Sequence, residues 1–512
     1  MTTNAPEQQD PGGSAVTIEF RGGKALSALP IAFFIVWAIV QSGVLRISDE
    51  AGLIAGMLIG LILGMLFVRG SWTHYANAIF EGMAQKVAVT AIVAWLWAGM
   101  FAATLQVGGL VEGLAWLAET AHVGATVFPA VTFLLAALLA TGIGTGYGTV
   151  IAFVALFFPA GVALGADPVL TFGAILSGAV FGDNLAPVSD TTIVSAVTQD
   201  SDIGGVVASR FKYAGIAAVL ALIGYLVAGN FGSGVDIAAD ARAMFREQSN
   251  PASLLHLISM AVVIVSAIRG RHIIEAISWG LIVAVLLNLV FGLAAPADML
   301  VFNVPEGSWA AQTLAGMAII TAVPAGEASV GGSIYNGAFG FLTLSVLVLL
   351  VIAGAQIMIR GGGFQALEEW LLRVVAKTVR AAEMTMVSVT AMINAAITIN
   401  TAAEIAIAPY IANIGRRFNI NGYRRANILD ANTSALGYIF PWSGGVLVGY
   451  TQMSNLVGSY DWFVPELVVN PVDAWPWVFH GWLLVAVFLF SAWTGFGREY
   501  ISDRVAHRST QI

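Results

Sequence analysis

The sequence holds no cysteine, which excludes disulfide bridges, thiolate metal sites and cysteine nucleophiles. Charge is almost as scarce: Asp, Glu, Lys and Arg make up 10% of the 512 residues, while 58% are hydrophobic. So few polar groups cannot cover a soluble globule. The six histidines (74, 122, 256, 272, 480 and 507) show no metal-ligand spacing, and no phosphate-binding loop is present. The net charge of −8 describes exposed ends and loops, so no nucleic-acid partner is expected. The opening MTTNAPEQQDPGGS lacks the basic-then-apolar order of a cleaved signal. It is expected to be a disordered tail, with the first span as an uncleaved insertion signal.

What the chain does have is apolar runs of about 18 residues or more, repeated along its length. They make it an all-α polytopic membrane protein. Full crossings are expected near 25–45, 51–68, 86–107, 168–199, 209–231, 251–268, 272–294, 339–359, 424–458 and 476–497. Two further regions, 124–164 and 382–415, are long enough to enter and return as re-entrant helical hairpins or to cross twice. With both termini cytoplasmic, nineteen of the 22 basic residues fall on the inner side, Arg210, Lys212, Arg424 and Arg425 among them. Only Arg46, Arg242 and Arg246 fall outside, a strong positive-inside bias. The expected location is therefore the cell inner (plasma) membrane.

The order of elements repeats. LQVGGLVEGLAWLAE (105–119) resembles MIRGGGFQALEEWLL (358–372), and a polar-tipped segment follows each: ATGIGTGYGTV (140–150) and AITINTAAEIA (396–406). Each half then carries a span broken by polar residues and proline, GDNLAPVSDTT (182–192) and DANTSALGYIFPW (430–442). Five crossings per half is odd, so the second half should be inverted relative to the first. The expected organisation is a tail (1–24), a first repeat (25–231), an outer connection (232–250), a second repeat (251–497) and a tail (498–512). Inverted repeats with interrupted helices at mid-membrane mark secondary transporters.

The breaks carry the chemistry. Pro187 has no amide hydrogen, so the carbonyl of Asp183 loses its helical partner, and lipid cannot replace it. The freed backbone sits beside Asp183, Asn184, Ser189, Asp190, Thr191 and Thr192, an oxygen-rich set suited to a small hard cation. Pro441 similarly frees the carbonyl of Gly437 near Asp430, Asn432, Thr433 and Ser434. The tips add Thr145, Tyr147 and Thr149 in the first half, and Thr398, Asn400, Thr401 and Glu404 in the second. Glu404 lies in an apolar stretch, and an intramembrane carboxylate is a functional candidate by default. Gly52, Gly56, Gly60 and Gly64 recur every fourth residue, which permits close helix packing. The segment 324–337 reads as an interfacial stretch or a gate.

These strings resemble the NhaC-type sodium/proton antiporter family over most of residues 25–497: GTGYGT (144–149), SGAVFGDNLAPVSDTTIVSA (177–196) and the Asp, Thr and Pro-Trp of 430–442. By the resemblance, Asp183, Pro187, Ser189, Asp190, Thr191 and Thr192 match the central motif. Thr145 and Thr149 match the first tip, and Asp430, Thr433, Pro441 and Trp442 the second broken helix. The chain departs at Gly146-Tyr147, where the family has Ser-Trp, and at Asn184-Leu185. It departs again at Thr401, where the family often has an acid; here Glu404 follows one turn later.

The resemblance implies exchange of Na⁺ or Li⁺ for H⁺ by alternating access, with Asp183, Asp190 and Asp430 holding Na⁺. Burial raises a carboxyl pKa toward neutrality, so protons compete with the cation for the same oxygens. No cofactor and no catalytic activity is expected; an intramembrane aspartyl protease would carry glycine where Val180 stands. The alternative is an Na⁺- or H⁺-coupled transporter of a small organic acid or amino acid. The spans 25–68 and 251–294 are expected to form a scaffold and a homodimer surface.

Overall fold

The computed structural model describes residues 18–187, 189–232, 250–269, 271–374, 377–397 and 399–501. Thr398, Arg242, Arg246 and most of the two tails and the 232–250 connection lie outside the described residues. Helices of nine residues or more are numbered in chain order. They are α1 (Leu29–Ala38), α2 (Glu50–Leu66), α3 (Trp72–Met83), α4 (Lys86–Val107), α5 (Leu110–Thr120), α6 (Phe128–Ile143) and α7 (Gly146–Ala163). Next come α8 (Pro168–Leu185), α9 (Asp190–Thr198), α10 (Ile203–Ala228), α11 (His256–Ile268), α12 (Ile273–Phe291) and α13 (Leu342–Arg360). The last are α14 (Gly363–Val374), α15 (Val379–Ile397), α16 (Asn400–Arg417), α17 (Gly422–Leu436), α18 (Gly444–Leu456) and α19 (Phe479–Thr494).

Local chemistry sets the helix starts. Asp49 caps α2 by accepting from the amides of Ala51 and Gly52, and Asp167 caps α8 directly before Pro168. Asp202 and Asn421 cap α10 and α17 in the same way. Each side-chain oxygen satisfies an amide that has no partner inside its own helix.

Eight helical segments are long and apolar enough to cross a membrane, and three shorter apolar helices accompany them. The chain is a multi-pass membrane protein. The apolar windows of α7 and α8 are 94% and 89% buried, whereas those of α10 and α12 are each 28% buried. The first pair therefore forms the centre of the bundle, and the second pair presents its apolar face to lipid. The glycine stripe on α2 serves internal packing. A Cβ on Gly60 would lie 2.7 Å from the Pro30 carbonyl, and one on Gly64 would lie 2.5 Å from the Tyr75 hydroxyl.

Both polar spans are interrupted. One break separates α8 from α9 and carries Pro187; the other separates α17 from α18 and carries Pro441. The Gly437 carbonyl, free of its helical donor, accepts from the Gly445 amide at 3.0 Å. Three features had no counterpart in the sequence reading. The amphipathic α3 packs against α13. β1 (Glu19–Phe20) pairs with β2 (Val68–Arg69). The 294–339 segment folds into a small sheet of order β4-β3-β5, from Val301–Pro305 (β3), Ile320–Val323 (β4) and Ser329–Gly331 (β5).

The candidate ion site at two helix breaks

α10 serves as a ruler for the two broken spans. Near its start, Ser209 receives a hydrogen bond from Asn427 of α17 at 2.7 Å. Near its end, the Tyr225 hydroxyl lies 2.7 Å from that of Ser177 on α8, and Gly232 sits against Asp167. α17 thus runs with α10 and α8 against it, and their C-terminal ends approach each other at the breaks.

Arg210 joins them. Its guanidinium donates to the Asn184 carbonyl at 2.6 Å, to Thr192 Oγ1 at 3.2 Å and to Asn427 Oδ1 at 3.1 Å. It also forms an ion pair with Asp430, and both side chains are fully buried. The charge count treats Arg210 as one more inner-side cation; because α10 begins at Ile203, Arg210 lies two turns into the helix and is buried there. The Asp202 cap was the available signal. Arg424 and Arg425, counted on the inner side in the same way, are both buried on α17. Arg424 binds Glu383 at 2.9 Å, and Arg425 donates to the Gln199 carbonyl at 2.9 Å.

Asp183 closes the first break locally. Its Oδ1 accepts from Ser189 at 2.8 Å, and its Oδ2 accepts from Tyr438 of the second break at 3.3 Å. The Ser189 hydroxyl also lies 3.0 Å from Thr191 Oγ1. Asp190 is exposed; its Oδ1 accepts from the Thr191 amide at 3.1 Å and its Oδ2 from Thr401 at 2.6 Å. Asp430 additionally accepts from Ser434 at 2.7 Å and from Ser195 at 3.3 Å.

The two helix turns reach across the halves. In the α6–α7 turn, a Cβ on Gly146 would lie 2.0 Å from the Tyr438 hydroxyl, and the Tyr147 and Tyr438 rings are 5.4 Å apart. Thr145 caps α7 through the Gly148 amide at 3.4 Å, and Thr149 donates to the Thr145 carbonyl at 2.9 Å. Both hydroxyls help to shape the turn. At the α15–α16 turn, Thr401 reaches Asp190, while Asn400 Oδ1 would lie 1.8 Å from a Cβ on Gly437. Glu404 is fully buried and its Oε1 accepts from Thr433 at 2.9 Å.

Several buried acceptors here have no donor: Glu404 Oε2, Asn184 Oδ1, Asn394 Oδ1 and Asn432 Oδ1. The amide orientations follow from their nitrogens, since Asn184 Nδ2 donates to the Val180 carbonyl and Asn432 Nδ2 to the Val387 carbonyl. Such orphaned acceptors are costly and call for a partner; a proton or cation supplies one. Among the described residues no three His, Cys, Asp or Glu side chains gather closely enough to hold one metal ion. Of the expected Na⁺ set of Asp183, Asp190 and Asp430, Asp430 is the member whose charge Arg210 matches. Ser195, Arg210, Asn427 and Tyr438 join the candidate site only through the fold and are not named for it in the sequence analysis.

The Na⁺/H⁺ antiporter family model matches residues 16–230 and again residues 231–482. The Na⁺/H⁺ antiporter NhaC of Alkalihalophilus pseudofirmus is 28% identical over 149 residues, covering 29% of this chain and 31% of that protein. The malate-2H⁺/Na⁺-lactate antiporter of Bacillus subtilis is 31% identical over 189 residues, 36% of this chain and 38% of the relative. The arginine/ornithine antiporter ArcD of Halobacterium salinarum is 28% identical over 210 residues, 40% of this chain and 42% of the relative. These matches span less than half the length of each curated relative. With the family model covering both halves of the sequence, the chain belongs to the Na⁺/H⁺ antiporter family.

Proposed function

We propose that the chain exchanges Na⁺ for H⁺ at the two breaks by alternating access. The observation that carries this reading is the set of buried acceptor oxygens without donors around the breaks, above all Glu404 Oε2. Na⁺ is assigned to the first break, between Asp183 and Asp190, with Ser189, Thr191 and Thr401 as neutral oxygens. Protons compete for the same carboxylates, so that loading one ion expels the other. Asp430 is a positioning residue: through Arg210 it ties α17 to α8 and α9.

The two halves are read as inverted repeats, which the opposite directions of α8 and α17 support. In each half an amphipathic helix (α5, α14) precedes a re-entrant hairpin (α6–α7, α15–α16) and then a broken pair. The hairpins and broken helices form the moving part; 25–68 and 251–294 form the scaffold and a homodimer surface. Both termini are placed in the cytoplasm and the protein in the cell membrane.

A second reading takes support from relatives named for malate, lactate, arginine and ornithine: an organic solute replaces Na⁺ at the same breaks. Everted vesicles containing a pH dye separate the two. Proton release on adding Na⁺ or Li⁺ alone supports cation exchange. Release that requires malate, lactate or an amino acid supports the second reading, and no response to any alkali cation overturns the first.

A further inference from the structure

A cavity of about 1040 Å³ opens away from the breaks, lined among others by Glu112, Asp298, Asn336, Gln452, Tyr460 and Asp461. It lies at the Val107 end of α4 and ahead of α13. The other ends of α4 and α13 meet where Gln85 donates to Gln356, so the cavity occupies the opposite face of the bundle. Gln452 is eight residues into α18, about 12 Å along the helix from the second break at 1.5 Å per residue. The space is therefore separate from the site around Asp183.

Its chemistry is one-signed. Three carboxylates line it, and no Lys, Arg or His does among the described residues. Asp298 and Asp461 are exposed, and Asp298 also accepts from the Ala295 amide at 2.8 Å. Glu112 differs: it is 8% exposed, and its Oε2 is buried without a hydrogen-bond partner. Burial pushes its carboxyl above the ordinary range. Glu112 lines the cavity wall, and a buried carboxylate beside a polar cavity calls for a donor.

The carboxylates come from three elements and do not form a three-acid metal cluster, so a bare ion cannot engage them together. The volume is that of a small-molecule site, typically about 300–1,000 Å³. We propose that this cavity binds an organic ammonium, with its –NH₃⁺ on Glu112. Aromatic faces such as Tyr460 support a cation by cation–π attraction. Amide side chains such as Asn336 and Gln452 serve the remaining polar groups. The site would gather amines at this face of the membrane whichever ion crosses at the breaks.

The test is equilibrium binding of radiolabelled putrescine to the purified full chain in lipid nanodiscs, without any ion gradient. Failure of Na⁺/H⁺ exchange would leave this measurement unaffected. Saturable binding is expected, weakened at least tenfold by Glu112→Gln and about threefold by Asp461→Asn, and unchanged by Asp183→Asn. Asp461 is exposed, so its variant keeps the test decisive if Glu112→Gln fails to fold. The proposal is overturned by absence of saturable binding, or by equal competition from the dianion glutarate. Unchanged affinity in Asp461→Asn overturns it too, as does loss of binding in Asp183→Asn with retention in Glu112→Gln.

Discussion

Arg210 and Asp430 form a fully buried ion pair between residues 220 positions apart in sequence. Removing one member of such a pair leaves an uncompensated charge, which costs about 3–5 kcal/mol. Arg210→Met should therefore lower thermal stability in detergent strongly. Arg210→Met with Asp430→Asn should recover much of that loss, because neither charge remains. Equal instability of the single and double variants would mean that Arg210 matters for packing and not for Asp430.

A second buried pair lies where α15, α17 and the C-terminal segment meet. Glu383 accepts from Arg424 at 2.9 Å and from Arg498 at 2.8 Å. Arg424 is almost fully buried, whereas the Arg498 side chain is 17% exposed. Glu383→Gln strands both cations and should cost about 3–5 kcal/mol. Arg498→Gln leaves the Glu383–Arg424 pair intact and should cost far less. Melting curves of the two purified variants check the order, and the reverse order would contradict it.

Gly437 and Asn400 bind the second turn to the second break by close approach. A Cβ on Gly437 would lie 1.8 Å from Asn400 Oδ1, so Gly437→Ala must displace α16 or α17. Asn400 sits directly before Thr401, which holds Asp190. Exchange should fall at least tenfold at matched protein level, and Gly437→Ala/Asn400→Gly should restore part of it. Wild-type exchange in Gly437→Ala would show that the turn has slack.

The breaks could be read from sequence because their cause is local: proline removes an amide, and polar residues beside it expose the consequence. The span at 86–107 matches α4 (Lys86–Val107). Arg210 could not be read this way, because its partner Asp430 belongs to the other half. Counting charges for orientation treats each arginine as solvated, an assumption that fails wherever a distant carboxylate pairs with it. Tyr438 was hidden likewise, since only the meeting of the breaks brings it to Asp183. The sheet at 301–331 pairs β3 with β4 in parallel through a crossover, a long-range pattern that leaves little periodic trace.

Glu404 is expected to carry a coupling proton. Glu404→Gln keeps an acceptor for Thr433 and places an amide where Oε2 lacks a partner, so folding should survive. The pH dependence of apparent Na⁺ affinity should become shallower. An unaltered pH profile with intact exchange would remove Glu404 from the proton path.

The most direct test compares Asp183→Asn with Asp190→Asn in proteoliposomes, reading Na⁺-driven proton flux at matched protein levels. Asp183 is buried and joins the two breaks through Ser189 and Tyr438; Asp190 is exposed and held by Thr401. Asp183→Asn keeps the size and one of the two acceptor oxygens but removes the titratable charge. Exchange should vanish in that variant, while Asp190→Asn should show weaker apparent Na⁺ affinity with measurable exchange. Near-normal flux in Asp183→Asn would contradict the assignment of the coupled site to the first break.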